Sequence, residues 1–166
     1  MASDERSSKW CFIIYPDDSA PDNWEQLLDD THIRACYSPL HQPDEEHNKK
    51  HIHVILDFGK RLKSEKQIKK ISQELLHGTR PFIIQDAVGY YEYLFHKNHP
   101  KKEQFEKGYN SITHMNGFDF ESYQETSTNN DFQSLMQIIH ENGYTEFAQI
   151  VAYCLEEEPY YIGLLR

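Results

Sequence analysis

The sequence predicts an α/β (α+β) fold, in which a mainly antiparallel five-stranded sheet is packed with helices. Two observations lead to this prediction: short β-branched and aromatic runs alternate with amphipathic helical patterns, and a polar Pro-containing loop separates two of the runs as in a hairpin. The C-terminal part has helical patterns and no strand pattern. We therefore expect a sandwich domain followed by a helical segment.

The first half of the chain is predicted to contain three strands, at residues 9–15, 32–38 and 50–58. A helix between the first two begins near Pro21 and ends about Asp30, and its apolar residues share one face: Trp24, Leu27 and Leu28. The loop SPLHQPDEEHNKK follows the second strand. If strands two and three pair as a hairpin, this loop folds back beside the start of the third strand.

The second half of the domain begins with a helix that Ser64 caps, since Ser64-x-x-Gln67 forms a capping box. Its apolar stripe is Ile68, Ile71, Leu75 and Leu76. Residues 81–85 are predicted to be a short fourth strand. Asp86 is expected to cap a helix that runs to about residue 95 or 96, and residues 111–115 to form the fifth strand.

The predicted domains are residues 1–125 and a helical segment over 126–166. The run TSTNND at 126–131 has a linker-like composition. Beyond it two amphipathic stripes predict two helices: Phe132, Leu135, Met136 and Ile139, then Phe147, Ile150, Val151, Cys154 and Leu155. Two such helices bury little alone, so we expect the start of an oligomerisation domain. The terminal run YYIGLLR suggests a truncated chain.

Charge is distributed unevenly along this chain of net charge −10. Residues 49–107 contain 13 Lys/Arg against 7 Asp/Glu, whereas the flanking blocks are strongly acidic. A basic middle between acidic ends is typical of a phosphate-binding face, although a lysine-rich stretch such as 60–70 is more often a solvated helix face. No signal-peptide pattern, membrane span or disulfide framework is present, so a cytoplasmic protein is expected.

The stretch KHIHVIL places two histidines on one side of a predicted strand and apolar residues on the other. His51 and His53 therefore share a face, which we expect to be at least partly exposed. The preceding loop offers His41 and Asp44, which the hairpin would bring close. Three imidazoles and a carboxylate can hold a divalent ion, and Mn²⁺, Zn²⁺, Co²⁺ and Ni²⁺ all remain open. His47 is an alternative ligand.

Three tyrosines lie on the predicted helix that follows Asp86. Tyr91 shares a face with apolar residues and is expected to pack against the sheet. Tyr90 and Tyr93 fall on a polar face with Lys97. A polar-faced tyrosine followed by a lysine one turn later is a candidate nucleophile.

These stretches together resemble the HUH endonucleases, and more narrowly the rolling-circle replication initiators of small plasmids of Gram-positive bacteria. The resemblance rests on YPDDSAPDNWEQLLDD, SPLHQPDEE, HIHVIL, EYLFHKNHPKKEQF and the acidic helical tail, and so covers nearly the whole chain. It implies a ferredoxin-like HUH fold. It also implies His51 and His53 as the HUH histidines, His41 and Asp44 as further metal ligands, and Tyr93 as the catalytic tyrosine.

The resemblance implies a metal-dependent nickase and strand transferase that acts at a plasmid origin, at a single-stranded nick site with flanking duplex. Tyr93 would form a 5′-phosphotyrosyl link and leave a 3′-OH primer, with Mn²⁺ as the expected cofactor and Mg²⁺, Co²⁺, Ni²⁺ or Zn²⁺ as alternatives. Lys97, Lys101 and Lys102 are candidates for phosphate binding. A homo-oligomer and the host helicase and polymerase are expected partners, and a membrane is not.

Two other functions fit the same residues. The chain would be a non-cleaving module that binds origin DNA, or a metal-dependent phosphodiesterase that acts on a different substrate. A covalent protein–DNA adduct distinguishes the nickase from both.

Overall fold

A five-stranded antiparallel sheet forms the centre of the fold, and the predicted α+β class is confirmed. This computed structural model describes residues 5–44 and 47–156, without the side chains of 126–135 and 153–156. The strands of this sheet are β2 Lys9–Ile14, β3 Arg34–Tyr37, β4 Ile52–Asp57, β6 Phe82–Ile83 and β7 Thr113–Met115. Their order across the sheet is β6-β2-β4-β3-β7.

Each strand is shorter than predicted but is centred where the pattern places it. In proportion to its length the reduction is largest in β6, an edge strand that follows Pro81, whose missing N–H cannot extend the ladder. A separate two-stranded ribbon, β1 Arg6–Ser7 with β5 Lys63–Ser64, has no signal in the sequence pattern.

The helices of the first part are α1 Trp24–Asp29, α2 Glu65–Lys69 and α3 Ala87–Tyr93, with a π-helical turn over Lys70–Leu75 and a 3-10 turn over Gly108–Ser111. The predicted capping box is present, since Ser64 accepts from the Gln67 backbone N–H and the Gln67 side chain accepts from Ser64. The Asp86 side chain likewise caps α3 by accepting from the Gly89 N–H.

Helix α3 stops at Tyr93, slightly before the predicted end. The backbone N–H of His96 donates to the Tyr93 carbonyl and that of Lys97 donates to the Glu92 carbonyl, which closes the helix in a Schellman motif. His96 occupies the left-handed position of this motif with φ 58°, where glycine is usual.

Both faces of the sheet are covered. On one face Ile52, Val54 and Leu56 pack with residues of α1 and α2, among them Trp24 and Ile68. On the other face Cys11, Cys36 and Ile55 pack with residues of α3: Ala87, Tyr91 and Leu94. Helices α2 and α3 therefore lie on opposite faces of the sheet, and β4 lies at its centre.

The chain divides into two units, Met1–Tyr123 and Gln124–Arg166. Two further helices are present, α4 Phe120–Asn142 and α5 Phe147–Glu156. The linker-like interpretation of TSTNND was wrong, because the backbone of residues 126–131 is helical within α4. Polar composition alone does not prevent a helix when no proline or glycine interrupts it.

Two apolar side chains of the second unit are largely exposed, with Met136 48% and Phe147 62% accessible, whereas Ile139, Ile150 and Val151 are half-buried. Phe132, Leu135, Cys154 and Leu155 are among the residues whose side chains are not described, and YYIGLLR lies outside the described residues. None of the described helices combines the length and the apolarity needed to cross a membrane.

Candidate functional site

The hairpin between β3 and β4 brings His41 beside His51, as the sequence predicts. The two residues form an isolated bridge, in which the His41 N–H donates to the His51 carbonyl at 2.8 Å and the His51 N–H donates to the His41 carbonyl at 3.0 Å. His53 follows on the same face of β4, paired with Ile13 of β2. The site is thus built on the central strand, which has little freedom to move.

Two of the three imidazoles are held in a defined tautomer by backbone carbonyls. The Nε2 of His41 donates to the Leu94 carbonyl at 2.7 Å, and the Nδ1 of His51 donates to the Lys49 carbonyl at 2.8 Å. A carbonyl can only accept, so these nitrogens carry the hydrogens. The Nδ1 of His53 lies 2.9 Å from the Tyr90 hydroxyl, which can donate or accept.

The remaining nitrogen of each ring is buried and has no hydrogen-bond partner: Nδ1 of His41, Nε2 of His51 and Nε2 of His53. Candidate ligand atoms of these three residues lie within 4.8 Å of one another. An unsatisfied buried nitrogen is costly, so three together indicate a ligand that takes their lone pairs. The arrangement fits a divalent metal ion held by three imidazoles.

Burial keeps these imidazoles neutral. Desolvation lowers the pKa of His41 to about 4, with its hydrogen bond to Leu94 opposing the shift. Desolvation also lowers the pKa of His51, and it lowers the pKa of His53 well below its ordinary value, with nearby imidazoles adding to the effect. Only neutral imidazole ligates a metal, so the site is ready to bind one at neutral pH.

The expectation of a partly exposed histidine face was wrong. His41, His51 and His53 are 1%, 0% and 2% exposed. A strand pattern shows which residues share a face but not what covers that face. Here α3 and the segment after it cover it, because His41 lies against His96 and Phe105, with ring centroids 4.2 Å and 5.5 Å away.

Asp44 and His47 lie beside the histidine cluster. The Asp44 carboxylate accepts from the His47 backbone N–H at 2.7 Å and lies 3.7 Å from the Lys102 ammonium. The His47 ring is 4.5 Å from that of His51. Among the described residues, the group with ligand atoms in mutual reach comprises the three histidines and neither Asp44 nor His47.

The three tyrosines of α3 have different surroundings. Tyr91 is buried as predicted, and its hydroxyl lies 2.7 Å from the Nε2 of His114. The Tyr90 hydroxyl contacts the histidine cluster through His53, and burial raises the pKa of Tyr90 well above the ordinary value, with the Cys11 thiol adding to the shift. Tyr90 is therefore held as a neutral phenol.

Tyr93 is half-buried, and its ring centroid is 5.4 Å from that of His53. The Lys102 ammonium donates to the Tyr93 hydroxyl oxygen at 2.6 Å and lies 4.8 Å from the centre of the same ring. A hydrogen bond from a charged donor holds the hydroxyl oxygen in one position. Tyr93 and Lys102 thus form a pair beside the histidine cluster.

A cavity of about 320 Å³ opens onto these groups, and its walls include His53, Tyr90, Tyr93 and Lys102. Phe82 of the edge strand β6 also lines it, with 44% of its surface exposed. Phe82 was not among the residues predicted from the sequence to line the site. Its only signal was an aromatic residue in a very short strand, which does not distinguish a cavity wall from a core position.

A second cavity of about 600 Å³ lies next to the first, and both are lined by His99 and Lys102. Lys101 also lines the larger cavity. Lys97 lines neither of these two cavities, since it pairs with Glu92 and donates to the Tyr109 hydroxyl at 3.1 Å. Of the three lysines selected from the sequence, Lys101 and Lys102 therefore share a cavity, and Lys97 does not line it.

The sequence predicts no role for His96. It is 3% exposed, its Nδ1 donates to the Glu103 carbonyl at 2.8 Å, and its Nε2 is buried without a partner. Its ring lies against His41 and 5.4 Å from that of Tyr93. His96 therefore links the histidine cluster to the segment that carries Lys102.

Comparison with known proteins gives one family match and two close relatives. Residues 2–121 match the family described as plasmid replication protein, origin binding domain. The chain is 33% identical over 161 residues to a replication protein RepB of Lactiplantibacillus plantarum, in an alignment that covers 93% of this chain and 71% of that protein. It is 28% identical over 158 residues to a replication protein of Staphylococcus aureus, covering 91% of this chain and 77% of the relative.

Proposed function

The chain belongs to the family of plasmid replication proteins with an origin-binding domain, and from that premise we propose that it starts rolling-circle replication by nicking one strand of the plasmid origin. The observation that carries this proposal is the position of Tyr93 beside three buried imidazoles with unpartnered nitrogens. A tyrosine next to a metal centre suits phosphoryl transfer.

His41, His51 and His53 would hold a divalent cation, with Asp44 as a fourth ligand after its carboxylate turns from Lys102. Mn²⁺ is the cation proposed, with Mg²⁺, Co²⁺, Ni²⁺ and Zn²⁺ as alternatives. When bound, the cation supplies Lewis acidity to the non-bridging oxygens of the scissile phosphate. Tyr90 would hold His53 in the ligating tautomer by accepting its Nδ1–H, which leaves Nε2 for the metal.

Tyr93 is the proposed nucleophile. Its phenol gives its proton to solvent, the Oη–P bond forms, the bond from phosphorus to the 3′ oxygen breaks, and that oxygen takes a proton from water. The products are a 5′-phosphotyrosyl link and a free 3′-OH that primes synthesis. The link conserves the free energy of the broken bond, so a later 3′-OH attack rejoins the strand.

Surroundings favour Tyr93 over its neighbours in this role. Tyr91 is packed against the sheet, and Tyr90 is engaged by His53 with its pKa raised by burial. Tyr90 and Tyr93 both border the cavity of about 320 Å³, and the Tyr93 hydroxyl also accepts a hydrogen bond from the Lys102 ammonium. Lys101 and Lys102, which line the larger neighbouring cavity, are proposed to bind backbone phosphates there, and Lys97 to do so at the edge of the site.

We assign origin binding and cleavage to residues 1–125. Helices α4 and α5 would begin an oligomerisation domain, since Met136 and Phe147 expose apolar surface. The partners proposed are the single-stranded nick site with its flanking duplex, further copies of this chain, and the host helicase and polymerase.

The test is to incubate a supercoiled plasmid that carries the cognate origin with the protein, with and without Mn²⁺. We expect open-circular plasmid and a protein–DNA adduct that survives denaturation, both dependent on the metal. Tyr93→Phe should abolish the adduct, whereas Tyr90→Phe and Tyr91→Phe should still form it. Peptide mapping must find the nucleotide on Tyr93.

Each alternative outcome has a distinct meaning. Tight origin binding with no nick under any metal would make the chain a non-cleaving origin-binding module. Hydrolysis of small phosphodiesters without an adduct would make it a phosphodiesterase. An adduct mapped to Tyr90 or Tyr91 would overturn the assignment of the nucleophile.

A further inference from the structure

A dense basic cluster lies in the segment around helix α2, which precedes the helix that carries Tyr93. Residues 60–70, KRLKSEKQIKK, contain six Lys/Arg and one Glu in a chain of net charge −10. The single acid does not neutralise the cluster. The Glu65 carboxylate is shared between Arg80, which lies outside residues 60–70, and Lys69, whose ammonium is 3.6 Å away. Most of the positive charge is therefore uncompensated.

The local structure points this charge toward solvent. Ser64 fixes the start of α2, and Ile68, 1% exposed, packs into the core. Lys66 and Lys70, one turn apart, lie on the exposed side, preceded by exposed Lys60 and Arg61. Within the described residues these four side chains have no ion pair, and we call them the basic face of α2.

The basic face of α2 is separated from the proposed nucleophile by the sheet. Ile68 and Leu76 pack in the core cluster that contains Trp10 and Leu56. Helix α3 packs in the other cluster, with Cys11 and Ile55. A DNA backbone held at α2 therefore lies on the opposite face of the sheet from Tyr93.

We infer that the basic face of α2 binds the phosphate backbone of duplex origin DNA, on a surface distinct from the one that cleaves the single strand. Duplex DNA carries a regular line of phosphates, and uncompensated Lys and Arg side chains replace its condensed counterions. Acidic blocks elsewhere in the chain repel the same polyanion, so the protein presents this face to it. Duplex binding and strand cleavage would then be separable by mutation.

The test compares Lys66→Ala and Lys70→Ala, singly and together, with Lys107→Ala as the matched control. Lys107 is exposed, and its neighbour Phe105 packs on the α3 side of the sheet. Each substitution removes one positive charge at an exposed position and keeps the packed residues, so the double variant loses two charges. Unchanged far-ultraviolet circular dichroism and melting temperature would verify that each variant folds.

Fluorescence anisotropy would measure the affinity of each variant for a labelled origin duplex between 50 and 200 mM KCl. Each phosphate contact contributes about −0.9 to the slope of log affinity against log salt, so the double variant should lose about 1.8 of slope. Over this fourfold range of salt, the duplex affinity of the double variant should therefore fall by a factor about 12-fold smaller than that of the wild type. Lys107→Ala should keep the wild-type slope.

Two results would overturn the inference. One is a wild-type slope in the double variant, and the other is a loss of slope in Lys107→Ala equal to that in Lys66→Ala, which would indicate a general effect of net charge.

The inference rests on the proposed function only for the separation of duplex binding from strand cleavage. A second measurement addresses that point, using saturating single-stranded oligonucleotides tiled across the origin, with Mn²⁺. The double variant should form the adduct at the wild-type rate, and a loss of ten-fold or more would refute separate surfaces. If the wild type forms no adduct, the proposed nicking fails while the salt slopes still decide the duplex surface.

Discussion

Acid should destabilise the metal-free protein through His41, and the size of the effect follows from its surroundings. Burial lowers the pKa of His41 to about 4, whereas an imidazole in an unfolded chain titrates near pH 6.5. Between these values the unfolded state binds a proton that the folded state does not. The stability that His41 contributes is therefore complete above about pH 6.5 and is lost as the pH falls toward 4.

From pH 7 to pH 5 this difference costs about 1.8 kcal/mol of unfolding free energy for His41 alone. The pKa values of His51, His53 and His96 are lowered too, so the wild type should lose more than this amount. His41→Gln isolates the contribution, because an amide nitrogen near the position of Nε2 can still donate to the Leu94 carbonyl.

The assay is urea unfolding at pH 7 and pH 5 with a chelator present, followed by tryptophan fluorescence. Both tryptophans, Trp10 and Trp24, are buried in the first unit. The loss of stability on acidification should be about 1.8 kcal/mol smaller in His41→Gln than in the wild type. The control His140→Gln removes an exposed imidazole and should behave as the wild type does. If acidification from pH 7 to pH 5 costs His41→Gln as much unfolding free energy as it costs the wild type, burial does not hold His41 neutral and the reasoning fails.

Three further predictions concern the metal ligands, the lysine beside the nucleophile and the tail. His53→Ala should abolish Mn²⁺ binding in calorimetry, and because His53 is 2% exposed it should also lower the melting temperature of the metal-free protein; unchanged Mn²⁺ affinity would remove His53 from the site. Lys102→Met should slow adduct formation roughly 10- to 100-fold by removing a charged hydrogen bond to Tyr93, with Lys102→Arg retaining most of the rate. Lys107→Met, which removes an exposed lysine that is not assigned to the site, is the control, and equal slowing of the two would refute a specific role. Light scattering of a form extended to the length of the relatives should show an oligomer that Phe147→Glu disrupts, and a strict monomer would end that proposal.

Much of the fold was predictable because its signals are local. Alternation along KHIHVIL assigned Ile52, Val54 and Leu56 to one face, and these three side chains are in the core there. The caps at Ser64 and Asp86 depend on side chains within three residues of the helix start, so sequence spacing located them correctly. The run TSTNND was assigned wrongly because weak local preferences do not outweigh a helix that is favoured on both sides.

The sequence by itself determined that His51 and His53 share a face and, through the hairpin, that His41 lies beside them. Strand alternation is enough for the first conclusion, and antiparallel pairing of the two strands that flank the loop is enough for the second. Only the tertiary structure decided that this face is buried, which nitrogen of each ring is left for a metal, and that Lys102 rather than Lys97 reaches Tyr93. These features depend on contacts between residues far apart in the chain, such as His53 with Tyr90 and His41 with Leu94. The periodicity of a sequence does not predict such contacts, because they depend on how helix α3 and the segment after it pack against the sheet.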